Sequence, residues 1–445
     1  MSAARILDAA GIGAGPFNLG FAALAGSVPG LDVQVFEAAE GIDWHPGMML
    51  EGTHLQVPFM ADLVTMADPT HPLSFLAFLK DTGRLYPFYI REDFYPLRAE
   101  YNRYLRWAAS RLPAVRFGHR VAGCSHDGAS YVLELATADG PRSIRARSLV
   151  LGTGTQPHVP SVVSPAALAS GAAFHTSEYR ARRRGLASAR RIAVVGSGQS
   201  AAEVFAELLA GLGPGQELAW VTRSERFFPL EYTKLTLEMT SPEYIDHFHG
   251  LPQGTRDRLA AGQKGLFKGI NAELVNHIHE LLYQRSVDGA AGVRLMASTA
   301  LESLEPGPGG LRLALRNQDD GGAHALGADA AVLATGYSYR EPEFLAGIGE
   351  RIRRLPDGRL DVDRGYSAGV HGDVLVQNAE LHTHGFTAPD LGMGAYRNSV
   401  ILNRLAGREH FAVERRIAFQ EFGTPVDAAP DPLESLDFDL QEATR

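Results

Sequence analysis

Apolar positions along the chain fall into a strand–helix–strand rhythm that occurs twice. Ile6 to Ala10 is a short apolar run. A glycine-rich turn, an Ala-rich segment from Leu19 to Ala25 and a second run, Val33 to Phe36, follow it. Ile192 to Val195 repeats the order, with an apolar helix to Leu209 and a strand from Leu218 to Thr222. Two such units predict parallel sheets flanked by helices. Between them, Leu73 to Leu79 reads as a helix. Tyr95 to Ser110 reads as a longer one, with Pro96 in its first turn and Tyr101, Tyr104, Leu105 and Ala108 on one face. Val115 to Ala136 alternates as a small sheet would, and Ser148 to Leu151 is a strand running into a glycine turn. Arg180 to Arg191 reads as a solvated basic linker.

Downstream, Phe227 to Ser286 breaks the rhythm. Pro229, Pro242 and Pro252 interrupt it, and a helix capped by Asn271 ends it. That stretch reads as a helical insertion closing over a reaction centre. Leu311–Leu315, Ala330–Ala334 and Val374–Asn378 read as strands, and a last helix ends near Leu405. After Gly423 the chain is acidic with scattered prolines, the pattern of a poorly ordered tail.

The turns carry the chemistry. In the first, Gly11, Gly13 and Gly15-Pro16 fit a turn that lets backbone approach a pyrophosphate at a helix N-terminus. Glu37 ends the following strand, where an acid can hold an adenosine ribose. In the second, Gly196, Gly198, Gln199 and Ser200 occupy the equivalent turn, but the next strand runs into Arg223. A guanidinium suits a 2′-phosphate, which points to NADPH. An acid in one unit and an arginine in the other predict FAD facing NADPH.

The expected fold class is therefore α/β, with two Rossmann-like domains for FAD and NADPH and a small helical substrate-binding insertion. The FAD domain is expected over 1–187 and 330–423, the NADPH domain over 188–228 and 288–329, the insertion over 229–287 and the tail over 424–445. The 445 residues carry a net charge of −9, which argues against nucleic acid as a partner. No apolar run is long enough to span a bilayer. Cys124 is the only cysteine, so a disulfide-reductase redox pair and a thiolate metal cluster are excluded. Met1 to Arg5 lead straight into the first strand. A cytoplasmic protein without a secretory leader is expected.

Several motifs together resemble the flavin-dependent N-hydroxylating monooxygenases of siderophore biosynthesis, which act on ornithine, lysine or aliphatic diamines. They are Gly13 to Asn18, Gln56 through Asp62-Leu63, Gly196 to Ala201, Ala334 to Tyr337, Thr383 to Gly385 and Ala395 to Arg397. Phe174 to Tyr179 is similar to the His-containing linker of the wider class B flavin monooxygenases. The resemblance implies that NADPH reduces FAD, that reduced FAD and O2 form a C4a-hydroperoxide, and that a neutral amine attacks its distal oxygen. It implies flavin contacts for Asn18, Trp44, His45, Thr335, Gly336, Tyr337, Gly392 and Met393, and makes Gln56 the residue nearest the chemistry. It also implies a homo-oligomer, dimer or tetramer.

The departures from that pattern speak to the substrate. Amino-acid-specific members have a lysine for the substrate carboxylate where this chain has Ala61, and amides where it has Leu237 and Phe267. A carboxylate buried there without a partner would cost several kcal/mol on the order-of-magnitude scale for unpaired charges. A diamine of the putrescine or cadaverine type is expected instead. Its far ammonium needs an acid, for which Asp390, Glu231 and Glu238 are the candidates. Two other readings stay open, lysine N6-hydroxylation and a non-catalytic flavin-binding redox module.

Overall fold

A computed structural model describes residues 5–289 and 292–424. The expected acidic tail lies, from residue 425 on, outside the described residues. The first βαβ unit forms as β1 (Ile6–Ile12), α1 (Pro16–Ala25) and β2 (Val33–Phe36). Pro16 opens α1, where its missing N–H costs nothing. After α2 (Phe75–Asp81) and α3 (Leu85–Ile90) comes α4 (Arg98–Ala109). This last helix starts later than the sequence suggests, because Pro96 is not in its first turn. The Pro96 carbonyl accepts from Leu55 N–H and Arg98 N–H donates to the Thr53 carbonyl, so residues 96–98 pair as extended chain.

β3 (Val115–Arg116), β4 (Arg120–His126), β5 (Tyr131–Thr137) and β6 (Gly140–Leu151) complete most of a seven-stranded sheet ordered β3-β2-β1-β6-β5-β4. Its centre is parallel. The β4-β5-β6 flank is an antiparallel meander, which the alternation from Val115 onward anticipates.

A short β7 (Gln156–Pro157) and α5 (Pro165–Ala169) lead to β8 (Ala173–His175). The basic run is not a linker. It winds into α6 (Tyr179–Leu186), and Arg182 and Arg183 pair with Glu178 and Glu207. The second βαβ unit follows as β9 (Arg191–Val195), α7 (Gln199–Ala210) and β10 (Glu217–Val221). The insertion contributes α8 (Lys234–Leu237), α9 (Pro242–Gly250), α10 (Gln253–Gly262), α11 (Gly265–Lys268) and α12 (Ala272–Val287). Asn271 caps α12 as expected, accepting from Glu273 and Leu274 N–H.

β11 (Val293–Met296) returns to the second sheet. β12 (Thr299–Gly307), β13 (Gly310–Asn317) and β14 (Ala323–Ala328) form a separate antiparallel sheet, and β15 (Ala330–Leu333) closes the unit. The second sheet is all parallel, ordered β11-β10-β9-β15-β8. The expected boundaries at 187/188 and 329/330 do not follow these ladders. β8 and β15 lie on the first domain's side of them, yet hydrogen-bond into the second sheet. Their runs are buried on both faces, and the ladder satisfies them in turn: β15 pairs with β9, and β8 with β15.

β16 (Tyr337–Ser338) crosses back antiparallel to β7, and β17 (Val374–Val376) rejoins β6 in the first sheet. α13 (Leu381–His384) and α14 (Gly394–Ala406) end the fold, with α14 laid against α1. Among the described residues no helix is long and apolar enough to cross a membrane.

Candidate active site between two glycine loops

The first glycine loop joins β1 to α1. Gly13 has φ +87°, and a side chain there would meet the Gly152 carbonyl oxygen at 2.5 Å. Only glycine fits such a conformation and approach. At Gly11 a Cβ would meet Val35 at 2.8 Å, whereas Gly15 faces open space. Gly15 caps α1 with no side-chain hydrogen bond, so the helix N-terminus is free to meet an anion. Glu37 lies at the loop, accepting from Ala14 N–H at 2.7 Å.

Asn18 does not face the opening. It is fully buried, donates to the Gly13 carbonyl at 2.8 Å and accepts from Gln377 at 2.6 Å. Its role is to tether the loop. Thr153 Oγ1, whose backbone adjoins Gly13, and Gln56 Nε2 are buried with no hydrogen-bond partner among the described residues. Buried donors of this kind point to a missing polar partner.

The second loop is built alike. Gly196 has φ +143°, and a side chain there would lie 2.1 Å from the Ala334 carbonyl oxygen. Trp220 Nε1–H donates to the Gly196 carbonyl at 2.7 Å. Gly198 caps α7 without a side-chain bond, and Ser200 is half-buried in the first turn. Arg223 is exposed just beyond β10, with no ion-pair partner among the described residues. Gln199 is occupied. Its Oε1 accepts from Asn271 N–H at 2.8 Å and its Nε2 donates to Glu203 at 2.9 Å.

Glu203 also holds Arg98 in a two-pronged pair at 2.7 and 2.8 Å. Arg98 belongs to α4 and Glu203 to α7. This nearly buried pair therefore pins the second loop's helix to the first half of the molecule. No sequence signal marks it, because the partners are 105 positions apart.

Between the loops stands an aromatic wall. His45 is left-handed, with φ +50°. Its ring meets Trp44 edge-on at 4.8 Å and Tyr337 at 5.6 Å, and Tyr337 meets His175 at 5.1 Å. Desolvation by the groups packed around it, and then the Arg98 guanidinium, lower the pKa of the solvent-reached His45 ring. Its imidazole is uncharged at neutral pH. Gly47 passes so close to the Ser177 carbonyl that no side chain fits. The linker-like motif thus backs the wall, with His175 donating to the Gly336 carbonyl at 3.0 Å. Thr335 bonds the His158 carbonyl, and Gly336 faces open space at φ +78°.

The substrate candidates separate in space. Ala61 and Asp390 flank Gly392. A Cβ built on Gly392 would lie 3.0 Å from Asp390 Oδ1 and 3.9 Å from the Ala61 methyl. Asp390 accepts from Gly392 N–H at 2.6 Å and has no ion-pair partner among the described residues. Burial pushes its carboxyl pKa up. Met393, three residues after Asp390, caps α14, whose Gly394 packs on Phe17 of α1.

Phe267 stacks on Phe386 at 6.0 Å, and Leu237 ends α8 half-buried. Glu238 is taken by the C-terminal arm, accepting from Gln420 Nε2–H at 2.9 Å. Glu231 is exposed and lies against Gly265. Asp62, beside Ala61, is spent on fastening its own loop, accepting from Val64, Thr65 and Phe75 N–H.

The profile of the L-lysine 6-monooxygenase/L-ornithine 5-monooxygenase family matches residues 5–339. The putrescine N-hydroxylase of Shewanella oneidensis is 44% identical over 97% of this chain and 87% of its own length. The FAD-bound cadaverine monooxygenase of the Erwinia amylovora desferrioxamine pathway superposes with TM-score 0.93 at 48% identity, covering 95% of this chain and 100% of that one. The Kutzneria sp. 744 ornithine N-hydroxylase, solved with reduced FAD, NADP+ and L-ornithine, superposes with TM-score 0.82 at 27% identity, covering 90% and 99%.

Proposed function

Because the chain belongs to the L-lysine 6-monooxygenase/L-ornithine 5-monooxygenase family, we propose that it N-hydroxylates one amine of a short aliphatic diamine, putrescine or cadaverine, for a hydroxamate siderophore. The enzyme is an NADPH-dependent flavin N-monooxygenase. The balanced reaction joins diamine, O2, NADPH and a proton to give N-hydroxydiamine, water and NADP+.

The pairing of Ala61 with Asp390 across Gly392 carries the substrate assignment. Where amino-acid-specific relatives place a cation for a carboxylate, this chain offers a methyl group and an unpaired acid. An ammonium at the substrate's far end satisfies that acid, and an α-carboxylate would be repelled by it.

FAD fits the first loop. Gly15 leaves room for its pyrophosphate, Glu37 stands at the loop for its ribose, and the unpartnered Thr153 and Gln56 donors suit its polar edge. NADPH fits the second, with Gly198 and Ser200 at the helix start and Arg223 for the 2′-phosphate. When bound, FAD accepts hydride from NADPH and activates O2, chemistry that side chains do not supply. The chain's own residues position and shield. Trp44, uncharged His45 and Tyr337 form an apolar wall between the loops, and Asp390 holds the far ammonium so that the near amine is presented unpaired.

Two coarser expectations belong to the same reading. A second copy of the chain covers the exposed apolar face of α3, where Tyr86, Tyr89 and Ile90 are each more than 70% exposed. The enzyme works in the cytoplasm, where NADPH is made.

The test is steady-state formation of hydroxylamine from putrescine, cadaverine, lysine and ornithine. Faster turnover of both diamines is expected. A faster rate with lysine or ornithine overturns the assignment, and FAD binding without hydroxylamine from any amine identifies a redox module instead.

A further inference from the structure

Asp390 is one half-buried acid, and an alkylammonium offers more than a point charge. It has three N–H donors and a face that aromatic rings attract. Two tyrosines stand where they can meet it. Tyr95 lies just before the extended stretch that leads into α4, and Tyr232 lies in the insertion ahead of α8. Their rings meet edge to face, with centroids 6.5 Å apart at 69°. Both are half-buried. Burial, then the neighbouring Tyr95 hydroxyl and the Asp390 charge, push the Tyr232 hydroxyl toward the neutral form. The Phe94 carbonyl accepts from Phe59 N–H at 2.8 Å, so Tyr95 follows a segment paired two residues before Ala61, which faces Asp390 across Gly392.

Each side chain comes from a different segment: the loop before α4, the insertion, and the loop before α14. The other acids proposed for this end are excluded by their surroundings. Glu238 is bound to Gln420, and Glu231 is exposed against Gly265.

We propose that Tyr95 and Tyr232 complete, with Asp390, a box for the substrate's far ammonium, and that Tyr232 is a specificity-determining residue of the insertion. The proposal deepens the diamine reading and rests on it. Carboxylate, phenol oxygens and ring faces together recognise a primary ammonium. An α-amino acid would bring its carboxylate into the same box, against Asp390.

The experiment compares wild type, Tyr232→Leu, Tyr232→Phe and Tyr95→Phe with cadaverine, putrescine and 1-aminopentane, which lacks the far ammonium. KM and kcat are read separately, and diamine binding to the FAD-loaded protein is followed by calorimetry. Tyr232→Leu should raise the diamine KM about tenfold or more, as for a lost ring and hydroxyl contact to a cation. Its kcat should stay within about threefold and its 1-aminopentane KM within about twofold on the same scale. Tyr232→Phe and Tyr95→Phe should raise the diamine KM less, also without moving the monoamine. If Tyr232→Leu does not fold, these two carry the test. A KM that rises equally for monoamine and diamine, or for neither, overturns the box while the diamine reading stands. Wild-type preference for ornithine or lysine overturns both.

Discussion

The two glycine loops share a sequence device and differ in what holds them. The first is held from within its own half. Asn18 ties the Gly13 carbonyl to Gln377, the residue after β17, and the Gly152 backbone just past β6 presses on Gly13. The second is held from outside. The insertion reaches it through the Asn271 N–H on Gln199, and α4 reaches it through Arg98 on Glu203. A loop held from within keeps its shape whatever the rest of the molecule does. A loop held by neighbours reports their position. The same glycine pattern therefore builds one fixed seat and one registered against the insertion, the two proposed above for flavin and nicotinamide.

Breaking the outside hold should have the largest effect. Glu203→Ala leaves Arg98 nearly buried and unpaired, a loss of about 3–5 kcal/mol for a broken buried pair. Thermal or denaturant unfolding measures it. A loss under about 1 kcal/mol would mean that the pair lies open to water. Replacing both partners, as Arg98→Met with Glu203→Leu, should cost less than Glu203→Ala alone.

Gly13→Ala and Gly196→Ala come next, each forcing a Cβ into a carbonyl at positive φ, for about 1–3 kcal/mol of strain. They sharpen the contrast because their readouts differ. Gly13→Ala should purify without yellow flavin. Gly196→Ala should keep its flavin and lose reduction by NADPH. Equal loss of flavin from both would dissolve the distinction.

Asp390→Asn should raise the diamine KM by the equivalent of about 1.5–3 kcal/mol, as for a charge-assisted bond. Because burial raises the Asp390 pKa, its carboxylate is lost as pH falls through that raised value. Wild-type KM should therefore climb more steeply than the variant's on acidification. Parallel pH profiles would remove Asp390 from the site.

Arg223→Gln should have the smallest effect, weakening NADPH by about tenfold while leaving NADH unchanged, since an exposed guanidinium–phosphate bond is worth little more. Equal weakening of both nucleotides would show that Arg223 does not meet the 2′-phosphate.

Much of this was legible in the sequence because its causes are local. Period-2 and helical patterning marked both βαβ units, and Gly13 and Gly196 announced turns that only glycine can make. Ala61 and Asp390 were both readable by resemblance, as a missing cation and an added acid. Their pairing across Gly392 was not. Tyr232 carried no signal at all, since it resembles any core aromatic. That Glu238 is engaged was not legible, because an acid in an insertion looks free until Gln420, 182 positions on, is folded against it. Pro96 was misplaced because the Thr53 to Leu55 backbone competes for its neighbours' hydrogen bonds. The basic run misled because its carboxylate partners Glu178 and Glu207 flank it only once α6 and α7 pack.

By itself, then, the sequence determined the doubly wound units, their cofactor-sized turns and the sign of the charge after each second strand. These follow from backbone sterics and hydrophobic period, which act over a few residues. Only the tertiary structure decided which sheet β8 and β15 join, which helix anchors the second loop and which acid stays unpaired. Those outcomes depend on contacts between distant segments, where each buried hydrogen bond or ion pair made in one place removes a partner from another.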